Sequence, residues 1–506
     1  MSQPIEAPDA IQRTDVDGVP VFWSEGNGPR IASLMFRVGR VDEPAPKLGI
    51  THLVEHLALA PLTQQSYDHN GFVAAIRTVF HARGDDAELV AFLTSVCASL
   101  RSLPVDRILM ERRILRQEAA NRSPGSTGMN RWFRYGYTTF GLLGATEIGL
   151  DWLGPEPIQA WADEWFTREN AAVWWSGRPP EDLRLDLPSG ARKPVPEPRL
   201  VAGVSLPTRT DMGGDGVSAG YVLRRTAASR ITQVTFERRV RQDLRFERGL
   251  IYDVSSDYDP VSATEADATI GMDCRRDDAP QVTATLFDVL DDLAANGATQ
   301  AEIDREADDF ADGTREPDGR MGFLDATAHD HLVGRERESP AQVVAQYRSV
   351  TARDVQLVAE QALQTLLVLA PPGPYDERLQ PYPNHSATVV DGRALRPTGW
   401  LLGPKARKDR LVVGPDGVTW INPAGQPHTV RYADCVAVRH WEGPIRELWG
   451  ADGFRVVVTP HEFRGTAAAI ADIDAALGPE RIACDEHGIG ALETPKADQT
   501  DATGDG

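Results

Sequence analysis

The chain is poor in cysteine: Cys97, Cys274, Cys435 and Cys484 are the only four in 506 residues. No two stand at the C-x-x-C spacing of a metal or redox site. Their wide separation excludes a disulfide framework as the organising device, and four reduced thiols fit a cytoplasmic protein. Long apolar runs are also missing. None approaches the ~20 residues that cross a bilayer as a helix, so no membrane is expected as a partner. The opening stretch, MSQPIEAPDAIQRTD, has no basic start, apolar middle or cleavage pattern, so it is not expected to be a secretory signal. Positive charge is in deficit: 53 Lys and Arg stand against 74 Asp and Glu, a net charge of −21. A field of that sign repels nucleic acid and anionic membranes, so nucleic acid is not expected as a partner, and basic or neutral peptides would be favoured as substrates over polyanions. A G-x-S-x-G elbow, a phosphate loop and a dinucleotide fingerprint in strand-helix context are all absent.

What remains is a composition of globular type, 41% hydrophobic and 25% charged, in a chain too long for one ordinary domain. Proline-rich stretches at about 177–206 and 371–397 read as extended linkers, because proline fixes φ and restricts its predecessor. They divide the chain into 1–196, 197–372, a linker 373–397, a small domain 398–485 and a tail 486–506. The tail lacks apolar residues and is expected to be disordered.

In the first segment VPVFWSEG and IASLMFRVG have strand character. Helical patterns follow at HLVEHLAL, ELVAFLTSVCASL, VDRILMERRILRQEAANR and PIQAWADEWFTREN. The second segment repeats this order loosely. Strands are expected at GVSAGYVLRR and ITQVTFERRV, then helices at PQVTATLFDVLDDLAANG and TARDVQLVAEQALQ. Two α+β halves of similar size suggest a duplicated domain. The third segment reads as a hairpin about Pro415-Asp416-Gly417, further strands, and a closing amphipathic helix. That order loosely resembles a pleckstrin-homology-like barrel. Trp420, Tyr432, Trp441 and Trp449 stand at strand spacing there, which fits a core better than a partner surface.

The chemistry concentrates at His52-Leu-Val-Glu55-His56. On a helix the two histidines are i and i+4, about 400° apart in rotation, so both imidazoles leave one face. That arrangement suits two nitrogen ligands on one Zn²⁺. Glu55 lies between them and can take a proton from a water on such a metal. With eleven histidines in the chain, chance yields this pattern with a probability of roughly 2%. The rival reading is a helix carrying two solvated histidines beside a salt-bridging glutamate. A catalytic zinc needs a third protein ligand. The helix MERRILRQEAANR offers Glu111 and Glu118, about 700° apart and so near one face. Either can bind metal while the other orients a histidine.

These segments resemble the pitrilysin/insulinase family of zinc peptidases, which includes the mitochondrial processing peptidase. MFRVGRVDEPAPKLGITHLVEHLAL is similar to its strand and zinc helix, ERRILRQE to the helix bearing its third ligand, and WFTRENAAVWWSG to the strand closing its first domain. The resemblance covers roughly 12–372 and implies several things. The fold would be α+β, two homologous α/β-sandwich domains followed by a small mainly-β domain. Zinc would be held by His52, His56 and Glu118, with Glu111 behind them and Glu55 as general base. LRFERGLIYDVSS is similar to a segment whose arginine and tyrosine, here Arg245 and Tyr252, reach the active site from the opposing half and bind the substrate carbonyl. In the family four such halves form a chamber, so a homodimer or a heterodimer with a related chain is implied, acting on peptides or flexible termini. One departure is plain: Ala74 stands where the family's substrate strand has Asn. Relatives without metal residues act as non-catalytic or scaffold subunits, which is the alternative function.

Overall fold

The computed structural model describes residues 11–25, 30–62, 67–121, 125–211, 213–336, 338–398, 409–441 and 444–485. Two units divide the chain. The first comprises Met1–Glu43, Ile50–Thr146 and Pro155–Asn384, and the second Pro44–Gly49, Glu147–Gly154 and His385–Gly506.

The first unit holds two six-stranded sheets. Strands β1 (Gln12–Val16), β2 (Val19–Ser24) and β3 (Ile31–Phe36) lead into helix α1 (Ile50–Leu59). The hairpin β4 (Asp68–Val73) and β5 (Thr78–Arg83) follows. Helices α2 (Asp86–Arg101), α3 (Ile108–Ala120), α4 (Gly125–Tyr135) and α5 (Pro155–Trp165) precede β6 (Ala171–Ser176). The strand order is β1-β2-β6-β3-β5-β4, which leaves β4 at an edge. Strands β3 and β6 are buried almost throughout. This is why they read as continuous apolar runs and not as alternating ones.

The second sheet is built from β7 (Thr208–Thr210), β8 (Val217–Arg224), β9 (Ile251–Pro260), β10 (Glu265–Cys274), β11 (Leu367–Leu369) and β12 (Gln380–Pro381). Its order is β12-β7-β11-β8-β10-β9. Matching β7 to β2, β8 to β3, β9 to β4, β10 to β5 and β11 to β6 reproduces the first sheet strand for strand. Both sheets share a parallel pair at the same place, β2 with β6 and β7 with β11, and the second sheet adds another, β12 with β7. The outermost strand alone comes from elsewhere, from the start of one half and the end of the other. The duplication is therefore present in the fold.

Helix α6 (Ala227–Arg241) occupies the place in the second half that α1 has in the first, between β8 and β9, the strands that match β3 and β4. This corrects the strand expected at ITQVTFERRV. The run of β-branched residues suggests a strand, but Thr226 caps a helix there by accepting from the N–H of Ser229 at 3.1 Å. Ile231, Phe236 and Val240 of that helix are then buried in the core of this half. Helices α7 (Ala279–Asn296), α8 (Gln300–Gly313), α9 (Pro317–Leu332), α10 (Pro340–Ser349) and α11 (Ala352–Gln364) complete this half. The halves exchange helices. Leu324, Ala328 and Leu332 of α9 pack on Phe22, Met35 and Trp174 of the first sheet. From α4, Arg134 donates to the Gly220 carbonyl at 2.7 Å, and the Tyr135 hydroxyl donates to Asp267 at 2.6 Å.

The second unit has two four-stranded sheets. One is β13 (Arg393–Leu395), β14 (Arg410–Gly414), β15 (Gly417–Ile421) and β16 (Pro427–Arg431) in sequence order. The other contains β17 (Cys435–Trp441), β18 (Ile445–Gly450), β19 (Arg455–Val458) and β20 (Ile482–Asp485) in the order β19-β18-β17-β20. The comparison with a pleckstrin-homology-like barrel expects the chain to close on a helix. Here the helix Thr466–Ala476 is followed by β20, which pairs parallel with β17. The stretch 373–397 is not merely a linker, since it contains β12 and β13. Tyr432 is buried in the unit's core and Trp420 packs against it, while Trp441 donates its indole N–H to Glu447 at 2.8 Å. The tail 486–506 lies outside the described residues. Among the described residues no single helix is long and apolar enough to cross a membrane. Cys97, Cys274 and Cys435 are free and buried.

Candidate metal centre

Helix α1 is held by its apolar residues. Ile50, Leu53, Val54 and Leu57 have no exposed surface. Its first turn is pinned from two sides: the Thr51 N–H donates to Glu43 at 2.9 Å, and Trp161 donates its indole N–H to the Thr51 hydroxyl at 3.1 Å. His52 and Glu55 are 7% and 3% exposed. The His52 and His56 rings stand 5.0 Å apart, nearly perpendicular. His52, Glu55 and His56 each place one ligand atom within 4.8 Å of the others.

Helix α3 faces this cluster with both of its glutamates. Glu118 puts Oε2 3.8 Å from His52 Nε2 and Oε1 3.5 Å from His56 Nε2. Ligands about 2.0–2.1 Å from a tetrahedral ion stand about 3.3 Å from one another, so the three groups fit one ion with a small closure. Glu55 Oε2 is slightly farther, 4.0 and 3.8 Å from the same nitrogens. Two carboxylates therefore compete geometrically for the third position, and Glu118 is the nearer to both histidines.

Glu111 lies on the other side of His56. Its Oε2 is 3.3 Å from Nδ1, and its Oε1 accepts from Arg107 at 2.9 Å. A carboxylate at Nδ1 favours the proton there and turns the Nε2 lone pair toward the cluster. Burial, and next the neighbouring His52, hold His56 below the usual imidazole range, with Glu111 pulling the other way. The neutral ring is the form a metal binds.

One participant was not legible in the sequence. Gly71 lies in the edge strand β4, and a Cβ there would meet Glu55 Oε1 at 2.3 Å and Leu59 Cδ1 at 3.0 Å. The bare backbone makes room for the Glu55 carboxylate. Glycine inside a strand is the one available signal, since it marks close approach of another group. Arg107 was missed too, although its place one turn before Glu111 on a helix could have shown it.

Ala74, where the family's substrate strand has Asn, falls one residue beyond β4, in the turn to β5. Arg245 lies in a π-helical turn after α6, and Tyr252 near the start of β9. The Arg245 guanidinium sits over the Tyr252 ring at 5.3 Å and 3.6 Å from Asp253. Tyr252 is 78% exposed. The structure thus brings together His52, Glu55, His56, Glu111 and Glu118 as one group, and Arg245 with Tyr252 as another.

Residues 219–309 match the family described as "Peptidase M16 inactive domain". That segment contains none of the clustered residues on α1 and α3. No curated protein matches the chain. Solved structures resemble it in fold. A protease from Helicobacter pylori aligns at TM-score 0.58 and 16% identity, over 72% of this chain and 100% of its own. A peptidase M16 inactive domain from Pseudomonas fluorescens aligns at 0.58 and 14%, over 72% and 99%. The first half of the periplasmic protease PqqL from Escherichia coli aligns at 0.56 and 14%, over 72% and 92%. At these identities the likeness is one of fold.

Proposed function

We propose that the chain is a zinc-dependent endopeptidase acting on peptides or flexible protein termini. The observation that carries this is the convergence of His52, His56 and Glu118 within 3.5–3.8 Å beside a buried Glu55. His52, His56 and Glu118 hold the ion, and Glu111 fixes the tautomer of His56. Zinc bound there would polarise the scissile carbonyl and acidify a water. Glu55, kept in place by Gly71, takes the proton from the attacking water and passes it to the leaving amine. The substrate strand lies along β4, whose outer edge pairs with no strand among the described residues. Arg245 and Tyr252 supply donors to the developing oxyanion. Their exposure fits a role toward a second copy, so a dimer is part of the reading, either with itself or with a related chain.

The second reading is a non-catalytic subunit. The word "inactive" in the name of the matched family and in one structural relative's description favours it. Metal analysis separates the two. The enzyme reading expects about one zinc per chain, lost in His52→Ala, and chelator-sensitive cleavage of a peptide library that Glu55→Gln abolishes with zinc retained. Protein purified without chelators and free of zinc would overturn it.

A further inference from the structure

A cavity of about 800 Å³ in the first unit opens beside the end of β4 and beside the end of β9, its counterpart in the second half. Val73 and Ala74 form part of its wall. Gly71, which touches Glu55, is two residues back along the same strand. At about 3.3 Å per residue the cavity begins roughly 7 Å from the candidate general base. Its size is that of a ligand pocket.

The lining is cationic in a chain that is acidic overall. Six arginines and four acidic residues face the cavity. Three of the arginines are matched by carboxylates: Arg77 by Asp325 at 2.8 Å, Arg131 by Asp259 at 2.6 Å and Arg225 by Asp330 at 2.6 Å. Arg230 and Arg335 are held differently. Arg230 lies over the Tyr258 ring at 4.6 Å. Arg335 donates to the carbonyls of Arg225 and Ala263 at 3.3 and 3.2 Å. Neither guanidinium has a carboxylate partner among the described residues. The first turn of α6, the positive end of a 15-residue helix, reaches the cavity through Thr226 and Ala227. Apolar surface is supplied by Phe310 and Tyr347, whose rings stack at 4.0 Å.

We propose that this cavity takes a carboxylate carried by a peptide lying along β4, roughly two to four residues from the scissile bond, with Arg230 and Arg335 as the recognising groups. The inference rests on the peptidase reading above and adds a substrate class to it. The whole-chain charge of −21 disfavours polyanions at long range, but a single carboxylate is selected at short range by two fixed guanidinium groups. Long-range fields are screened beyond ~8–10 Å in physiological salt, whereas a contact in a cavity is not. The aromatic wall suits an apolar residue next to the acid.

The probe is a set of fluorescein-labelled random dodecapeptides of Ala, Gly, Ser, Leu and Phe, with one Glu or one Gln at each scanned position. Each is made as free acid and as C-terminal amide. Binding to the full zinc-loaded Glu55→Gln protein is read by fluorescence polarisation. The expected result is a Glu-over-Gln preference of about tenfold to a hundredfold at one position, the range of one or two charge-assisted hydrogen bonds. Arg230→Gln with Arg335→Gln should bring that ratio near one, with zinc content and melting temperature as folding controls. Arg230→Gln alone changes an exposed side chain and should lower the ratio in part, while Arg230→Lys should keep most of it. A preference for free acid over amide at every Glu position would assign the carboxylate to the peptide's C-terminus and still support the cavity. Equal affinity of Glu and Gln peptides throughout, or a preference that survives the double change, overturns the proposal. Cleavage by the native chain without such a preference removes this inference and leaves the peptidase reading standing. The preference without zinc or cleavage does the reverse.

Discussion

Gly71→Ala probes the placement of Glu55 without touching the carboxylate itself. The added methyl would sit 2.3 Å from Glu55 Oε1 and 3.0 Å from Leu59 Cδ1. An ordinary C···O approach is about 3.3 Å or more, so the carboxylate must retreat by about 1 Å. The backbone of Gly71 has no positive φ, and alanine is tolerated there in conformation. The atom that must yield is the end of a flexible side chain, so the cost to the fold should stay at or below the ~1–3 kcal/mol typical of overpacking. His52, His56 and Glu118 are not displaced, and zinc should remain at about one per chain.

A 1 Å displacement of a reacting group can cost about a hundredfold in rate. The expected outcome is therefore a fall of about that size in kcat for a cleaved peptide, with nearly unchanged zinc content and a small shift in melting temperature. The double variant Gly71→Ala/Glu55→Gln should be no slower than Glu55→Gln, because both changes act through one carboxylate. Undiminished kcat in the single variant would refute the reasoning. So would a further loss in the double variant, since Gly71 would then be acting through something other than Glu55.

Glu111→Ala leaves His56 Nδ1 without its carboxylate and should weaken zinc binding by about 10- to 100-fold, read by competition with a chromogenic chelator. Full affinity would argue against its supporting role. Glu55→Gln should keep zinc and lose turnover by about a hundredfold to ten-thousandfold. Mixing His52→Ala with Arg245→Ala chains, each inactive alone, should restore cleavage if Arg245 of one copy serves the zinc of the other; a mixture that stays inactive would place Arg245 in the site of its own chain. Burial, then Arg192 and Arg13, lower His331 to about 4, whereas in the unfolded chain it takes its proton near 6.5. Between those values the unfolded state binds more protons, so His331 makes stability fall as pH falls from about 6.5 to about 4. In His331→Gln, melting temperature measured across that interval should depend less steeply on pH.

The cluster on helix α1 was the most legible feature because its information is local. His52, Glu55 and His56 sit within five residues, and helix periodicity alone sets their face. The choice between Glu111 and Glu118 was not local. Both lie near one face of the same helix, seven residues apart, and only the approach of α3 to α1 puts one carboxylate at Nδ1 of His56 and the other near both Nε2 atoms. Gly71 was less legible still, because its reason is an atom of another element 16 positions earlier in the sequence.

The error at ITQVTFERRV shows a different limit. Window by window, Ile231, Thr232, Val234 and Thr235 argue for a strand, and the Thr226 cap is a single polar residue ahead of them. The duplication of the halves decides it. If the second half repeats the first, the element after β8 must match the element after β3, and that element is the helix of His52 and His56. Propensity is a weak prior that tertiary context overrides, and a repeat is tertiary context visible in sequence. The same alignment has a chemical consequence. Helix α6, AASRITQVTFERRVR, contains no histidine, so the duplicated scaffold offers a metal ligand pair in one half only. The second half retains instead a cationic helix start at Arg225 and Arg230 and an exposed Tyr252 on the strand equivalent to β4. On the peptidase reading proposed above, two copies of one architecture carry complementary chemistry, one half to hold an ion and a base, the other to present donors to the substrate.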